Sequence, residues 1–440
     1  MHGSHGMLIS LLLVTAHPSA AETPAIEQRI VEHVEAHQDE ALALLQRTVD
    51  INSGTMNFSG VRRVGAVFRG ELEGLGFEAR WIEGAEFERA GHVVAQRAPG
   101  SVDAPHLLLI GHLDTVFEAD SPFQRFERLS ATSAKGPGVI DMKGGNVVMV
   151  YALKALEAAG VLDDLRLTVV LTGDEEKTGR PLEPARRALI EAARGVDAAI
   201  GFEDGDGEPE TAVIARRGFS SWSLEVAGVP AHSSQIFQAE VGAGAIYEAS
   251  RILTAFYAEL SSETDLTFSP GVIVGGTDVE LDASQGRGRA FGKTNVVAQR
   301  ALVMGDLRAL SPQQYERAMA KMRSIVEAHL PRTRASLTFS ESYPPLPATE
   351  GNRRLLAAYD QVSRDLGHGP VSAVNPRNAG AADVSFVADQ VSMVLDGIGL
   401  MGSGGHTVEE TADLTTLPMQ TARAAVLLHR LGRMLRRERP

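Results

Sequence analysis

The sequence predicts an α/β protein: a mostly parallel-sheet domain interrupted by a smaller, inserted α+β unit of ferredoxin-like order. Three observations predict it. Short apolar runs, Leu107–Ile110, Leu165–Thr172 and Ala198–Phe202, alternate with helical patterns such as Gly144–Ala159. Runs of that length read as buried strands, and strands alternating with helices form parallel sheets. From Phe219 to Ser340 the pattern changes to β-α-β-β-α-β, the order of a ferredoxin-like unit. Beyond Asn352 the α/β pattern resumes.

Each element follows from local pattern. Ala25 to Leu75 is helical, and Phe77–Ile82 and His92–Gln96 alternate as strands before the three buried runs. In the inserted unit, Phe219–Val226 alternates, Val241–Leu260 is helical, and Val272–Gly275 and Thr294–Leu307 read as strands. Ser311 and Pro312 form an N-cap and N1 pair for a helix running to Leu330. Ala335–Ser340 is the last strand of the unit. The helix Asn352–Leu366, the strand Val391–Leu395 and the helix Met419–Arg436 complete the chain. Its Arg-rich end complements a helix C-terminus.

The chain has 440 residues, with 42 Lys+Arg against 56 Asp+Glu and a net charge of −14. Its length fits two or three domains at roughly 150 residues each. The divisions read as a leader over 1–22, a first catalytic segment over 23–216, an inserted unit over 217–343 and a second catalytic segment over 344–440. The acidic balance argues against a general nucleic-acid binder, which needs a basic face. There is no Cys, so thiolate nucleophiles, disulfides and Cys-ligated metals are excluded, and any metal is held by His and carboxylate.

Met1–Gly6 reads as a leader added for expression. The apolar run Leu8–Val14 and the small residues Ser19-Ala20-Ala21 then resemble a cropped signal peptide; a frayed N-terminal helix explains them as well. A removed signal implies a periplasmic or secreted protein, and otherwise the chain is cytoplasmic. The run is too short to span a bilayer, which needs about 20 apolar residues.

Five polar features carry the chemistry. His112-Leu113-Asp114 directly follows a buried strand, where ligands collect in α/β sheets; Asp114 would orient His112 through its second ring nitrogen. Asp141 sits in the glycine-rich turn Gly136–Gly145. Asp174-Glu175-Glu176 crowds three carboxylates at a strand end, an arrangement a cation would favour. Glu203 and Asp204 follow the third strand, and His406 lies in the glycine loop Gly402–Thr407. Each alone is explained by an ordinary loop. Together, two His and three carboxylates suit a two-zinc site with one bridging carboxylate.

Gly111-His112-Leu113-Asp114-Thr115-Val116, Gly136-Pro137-Gly138-Val139-Ile140-Asp141-Met142-Lys143-Gly144-Gly145 and Gly173-Asp174-Glu175-Glu176 resemble the M20 family of di-zinc peptidases and amidohydrolases. The likeness is closest to its glutamate carboxypeptidase (carboxypeptidase G2) branch and covers nearly the whole chain from Ile26. The resemblance implies a di-zinc exopeptidase domain with an inserted dimerisation, or lid, domain. It implies that Asp141 bridges two Zn2+, with His112 and Glu203 completing one site and Glu176 and His406 the other. Co2+ or Mn2+ would suit the same ligands. Glu175 would be the general base and Asp114 the orienter of His112. Gly228-Val229-Pro230-Ala231-His232-Ser233-Ser234 resembles the lid motif whose His stabilises the oxyanion in the partner subunit of a homodimer. Asn295 and Arg308, on one strand pattern, resemble the substrate-contacting pair, with Arg308 clamping a carboxylate. A helix cap and a surface strand position explain His232 and Arg308 equally well.

Two departures stand out. Glu203-Asp204-Gly205 replaces the usual Glu-Pro, making Asp204 a rival ligand, and Asn378-Ala379-Gly380-Ala381-Ala382-Asp383 replaces a Gly-Gly-Gly-Thr/Ser-Asp loop. Arg216, Arg217, Arg287, Arg289, Lys293 and Arg377 form a basic set that points to an acidic substrate; ordinary surface charge accounts for it equally. The reading is a zinc-dependent carboxypeptidase releasing C-terminal Glu or Asp from peptides, N-acyl amino acids or poly-acidic oligomers. The alternatives are an aminoacylase or dipeptidase with apolar preference and a non-catalytic binding protein on the same scaffold.

Overall fold

The apolar runs form the middle of a six-stranded sheet. A computed structural model describes residues 24–282, 287–340 and 343–438, and the leader reading for 1–22 lies outside them. The sheet order is Glu78–Glu83, Gly91–Arg97, Arg166–Thr172, His106–His112, Ala198–Gly201 and Val394–Leu395. His106–His112 pairs in parallel with both its neighbours, and Ala198–Gly201 pairs in parallel with Val394–Leu395. The two remaining pairings are antiparallel. The sheet is therefore mixed, with its parallel part in the middle and at one end and its antiparallel part at the other. Only residues 84–90 connect its first two strands, too few for the dozen or more that a parallel crossover needs.

Every residue of His106–His112 is buried. The helix Lys143–Ala158 is buried almost all round, since it shares one core with the sheet and with the helix Thr416–Glu438. A Cβ on Gly145 would lie 1.8 Å from the Phe202 carbonyl oxygen, so the second glycine of the turn permits that approach. The long N-terminal helical pattern is three helices, Ala25–Ala36, Gln38–Val49 and Phe58–Gly74. The Asn57 side chain caps the third by accepting from the Gly60 N–H. Glu27 on the first helix is ion-paired with Arg430 at 2.7 Å.

The second sheet is wholly antiparallel, in the order Thr267–Gly276, Arg300–Ala309, Gly218–Ala227, Arg334–Phe339. The helices Ala245–Leu260 and Pro312–Glu327 pack with it around a separate core of Trp222, Leu224, Ile252, Phe256, Val303 and Met322. Ser311 accepts from the Gln314 N–H, with Pro312 inside the first turn. The first of these helices begins at Ala245 and not Val241, because Gly242 and Gly244 take positive φ of 71° and 77°. The strand expected over Thr294–Leu307 begins at Arg300; residues 292–299 instead form the connection from a hairpin, Asp278–Asp282 with Arg287–Phe291, that the pattern did not reveal. A further small sheet joins Ser133–Lys135 to Thr411–Asp413. Among the described residues, no helix is long and apolar enough to cross a membrane.

Candidate metal centre

Parallel strands end at a common edge, and that edge gathers the polar residues. His112 is the last residue of its strand, and Glu176 and Glu203 follow the ends of the strands on either side. Asp141 comes from the turn before the helix Lys143–Ala158. His406 comes from the loop between Gly402–Ser403 and Thr411–Asp413, with a positive φ of 63°.

The Asp141 carboxylate stands between the two imidazoles. His112 Nε2 is 3.0 Å from its Oδ1, and His406 Nε2 is 2.9 Å from its Oδ2. Glu203 Oε1 lies 3.6 Å from His112 Nε2, and Glu176 Oε2 lies 3.1 Å from His406 Nε2. Two ligand groups result, His112–Asp141–Glu203 and Asp141–Glu176–His406, in each of which one ligand atom from every residue lies within 4.8 Å of the others. Asp204 belongs to neither.

Like charges crowd this arrangement. Burial, with the neighbouring charges of Asp141 and Asp396, pushes the Glu203 carboxyl well above the usual range despite His112. Burial and the Asp141 charge raise Glu176 to about 7, and the same causes raise Asp204 to about 7. Hydrogen bonds to Asp141 and Glu176 raise His406 to about 11. Burial acts to lower His112, but Glu203, Asp114 and Asp141 hold it well above its ordinary value. Glu176 Oε1 is buried without a hydrogen-bond partner. An orphaned carboxylate oxygen among converging acids and imidazoles fits two divalent cations held by nitrogen and oxygen.

Asp114 is fully buried and organises the acidic loop. Its Oδ1 is 3.5 Å from His112 Nδ1, while its two oxygens accept the N–H groups of Glu175 and Glu176 at 3.1 and 3.2 Å and the Thr55 hydroxyl at 2.6 Å. Glu175 lies outside both ligand groups. Burial first, then the charges of Glu203 and Glu176, hold its carboxyl well above the ordinary range against His112.

Several supporting residues had no sequence signal. Glu410 accepts the N–H groups of Gly138, Ile140 and Asp141. Lys143 Nζ donates to the carbonyls of Ile51 and Pro137. Asp396 accepts the N–H of Glu203 at 3.2 Å and is ion-paired with Arg216 at 2.7 Å. Arg216 is therefore a buried structural cation, not a member of a substrate-facing basic set. Arg186 bridges Asp174 and Asp383 and donates to the Tyr343 hydroxyl; the sequence marks the two acids as loop residues and gives no sign of the arginine between them.

The remaining site candidates lie in the second sheet unit and the loop before Asp383. His232 is exposed and accepts the Ser234 N–H, capping the short turn Ser233–Gln235. The backbone of Asn295 is beside it, accepting the Ser233 N–H at 2.9 Å. Asn295 precedes the strand that holds Arg308, so the two do not share it. Arg308 Nε donates to Asp306 at 3.0 Å, and Arg377 is 3.5 Å from Asp265. Arg217 is held below its ordinary value by burial and by the like charges of Arg308 and Arg377, against the opposing charges of Asp265 and Asp306. None of these residues belongs to the two ligand groups.

A mixed α/β sheet with two carboxylate–imidazole groups sharing one aspartate defines a two-metal hydrolase. The chain belongs to the peptidase family M20/M25/M40, whose description matches residues 108–430, and it is a metallohydrolase of that family. It is 26% identical to carboxypeptidase G2 of Pseudomonas sp. (strain RS-16), over 97% of this chain and 98% of that one. It is also 26% identical to a succinyl-diaminopimelate desuccinylase of Xanthomonas euvesicatoria pv. vesicatoria, over 76% and 87% of the two chains. In three dimensions it is similar to the aminopeptidase PepT of Bacillus cereus, with a TM-score of 0.71, 15% identity and coverage of 89% and 98%.

Proposed function

We propose that the protein is a carboxypeptidase that hydrolyses the amide bond before a C-terminal Glu or Asp, with Glu175 as general base. One observation carries the assignment of the base. Glu175 stands beside both ligand groups without joining either, and Asp114 fixes its backbone together with that of Glu176. His112, Asp141 and Glu203 would hold one zinc ion, and Asp141, Glu176 and His406 the other. When bound, such a pair supplies Lewis acidity and lowers the pKa of water. Glu175 takes the proton of the attacking water and returns it to the leaving amine. Asp114 keeps the His112 ring in one tautomer. His232, capping an exposed turn, serves the site of a second copy in a homodimer, where it stabilises the oxyanion. Residues 217–343 are the dimerisation and lid unit in this reading.

The acidic preference rests on Arg217, Arg308 and Arg377, the last two acting on the first as like charges. A dianionic leaving residue relieves that repulsion, with Arg308 taking the free carboxylate and Asn295 an adjacent polar group. We further propose export, with the leader removed near Ala21.

Amino-acid release from a panel of peptides and N-acyl amino acids, with chelator and zinc add-back, tests the proposal. Chelator-sensitive release of C-terminal Glu or Asp is expected. Release of apolar residues alone would remove the acidic preference, and no release by protein holding two metals would remove the carboxypeptidase assignment.

A further inference from the structure

The segments leading into and out of the antiparallel unit run side by side. Arg216 and Leu346 exchange N–H···O bonds of 2.9 Å in both directions, and the Phe219 N–H donates to the Tyr343 carbonyl at 3.0 Å. A Cβ on Gly218 would lie 2.7 Å from Pro345 N, so the ribbon is closed tightly at that point. Each segment sends one polar side chain to the acidic edge of the main sheet. Arg216 reaches Asp396, which holds the N–H of Glu203. Tyr343 reaches the other side, donating its hydroxyl to the Glu175 carbonyl at 2.9 Å.

The direction of that bond is fixed by chemistry. A carbonyl only accepts, so the phenol must donate to it, and its lone pairs receive Arg186 at 2.8 Å and Thr178 at 3.3 Å. Arg186 is itself locked between Asp174 and Asp383, and the Tyr343 ring packs on Phe386 with centroids 4.8 Å apart. The Asp383 carboxylate, at 3.4 Å, is the longer alternative for the same proton, and the shorter bond ends on the backbone of Glu175. The main-chain N–H of Glu175 is held by Asp114, so this residue is pinned from both sides, once from its own sheet and once from the connecting ribbon.

We propose that Tyr343 is a positioning residue for Glu175, tying the general base to the ribbon that carries the antiparallel unit. The inference rests on the reading of Glu175 as the base. Its consequence is that the setting of that unit is transmitted to the proton-transfer step through one hydroxyl.

Y343F keeps the ring, its contact with Phe386 and its place over Arg186, and removes the donor to Glu175 together with the acceptor of Arg186 and Thr178. Hydrogen exchange of the zinc-loaded full-length protein reads the positioning without a substrate. Exchange should accelerate in peptides covering 173–178 and stay unchanged over 222–226. Unchanged exchange in both regions overturns the proposal, and so does acceleration in both, which marks a general folding defect. On N-acyl-glutamate, Y343F should lower kcat by about ten- to a hundred-fold, as displacement of a reacting group by up to ~1 Å does, while KM and zinc content hold. In an E175Q background the same change should add nothing. A further loss of the same factor there overturns the role of Tyr343, whereas full kcat in E175Q alone overturns the reading of Glu175.

Discussion

Glu410 accepts the backbone N–H of Asp141 at 3.2 Å, with the N–H groups of Gly138 and Ile140 at 3.0 and 2.9 Å on the same carboxylate. The aspartate shared by both ligand groups is thus set in place by another acid 269 residues away. Replacing Glu410 by Ala leaves three buried donors unpaired, each costing about 1–3 kcal/mol. E410A should melt earlier and bind metal about 10–100-fold more weakly, measured by thermal unfolding and by zinc retention on dialysis.

Asp396 and Arg216 are a buried pair, and removing one member leaves the other charge uncompensated. D396A should lose about 3–5 kcal/mol of stability in denaturant unfolding, and it also frees the N–H of Glu203. A loss below about 1 kcal/mol would mean that water reaches Arg216 and that the pair is not sealed.

Metal binding should release protons. In the metal-free protein His406 keeps its proton up to about 11 and Glu176 up to about 7, and both must shed protons to become ligands. Zinc affinity should therefore rise with pH across neutrality, about tenfold per pH unit for each proton released. Calorimetry in buffers of different ionisation enthalpy counts those protons, and a count of zero contradicts the assignment of these ligands.

Glu248 supplies a pH test inside the antiparallel unit. Burial acts to raise its carboxyl, but hydrogen bonds from Arg251 and the Leu330 N–H hold it below the ordinary range. The unfolded state then binds the proton more readily, so this contribution is present above the unfolded value of about 4.3 and lost as pH falls below it. E248Q should be about 1.5–3 kcal/mol less stable at pH 7, and the gap to the parent should narrow below pH 4.

Reversing the charge at Arg308 should raise KM about tenfold or more for substrates with a free carboxylate, with kcat less affected. Steady-state kinetics on an N-acyl amino acid and its amide separate the two. An equal effect on both would make Arg308 a structural partner of Asp306.

Much of the fold and the centre of the site is legible in the sequence, because the signal is local there. His112, Glu176 and Glu203 each sit just beyond an apolar strand, and Asp141 and His406 lie in glycine-rich turns where no packing role competes. Their supports are not legible. Glu410, Asp396 and Arg186 act on backbone groups that only the tertiary fold brings near, and a buried arginine such as Arg216 looks in sequence like any surface cation. The hairpin pairing 278–282 with 287–291 escaped because its strands are short, charged and largely exposed, and only Val279 and Leu281 alternate in the first of them. Asn295 reads as a strand residue for the opposite reason: the run Asn295-Val296-Val297-Ala298 has strand-like composition but connects the hairpin to the strand Arg300–Ala309.

The helix Thr416–Glu438 closes over the buried helix Lys143–Ala158 and pairs with the first helix through Glu27 and Arg430, and it follows directly after His406 and Glu410. During synthesis the antiparallel unit, contiguous in sequence, can fold as soon as it leaves the ribosome. The main sheet cannot finish until the last stretch of chain arrives, bringing one imidazole and the anchor of the shared aspartate with it. A chain cut before His406 therefore lacks one imidazole of the centre and the carboxylate that holds the backbone of Asp141.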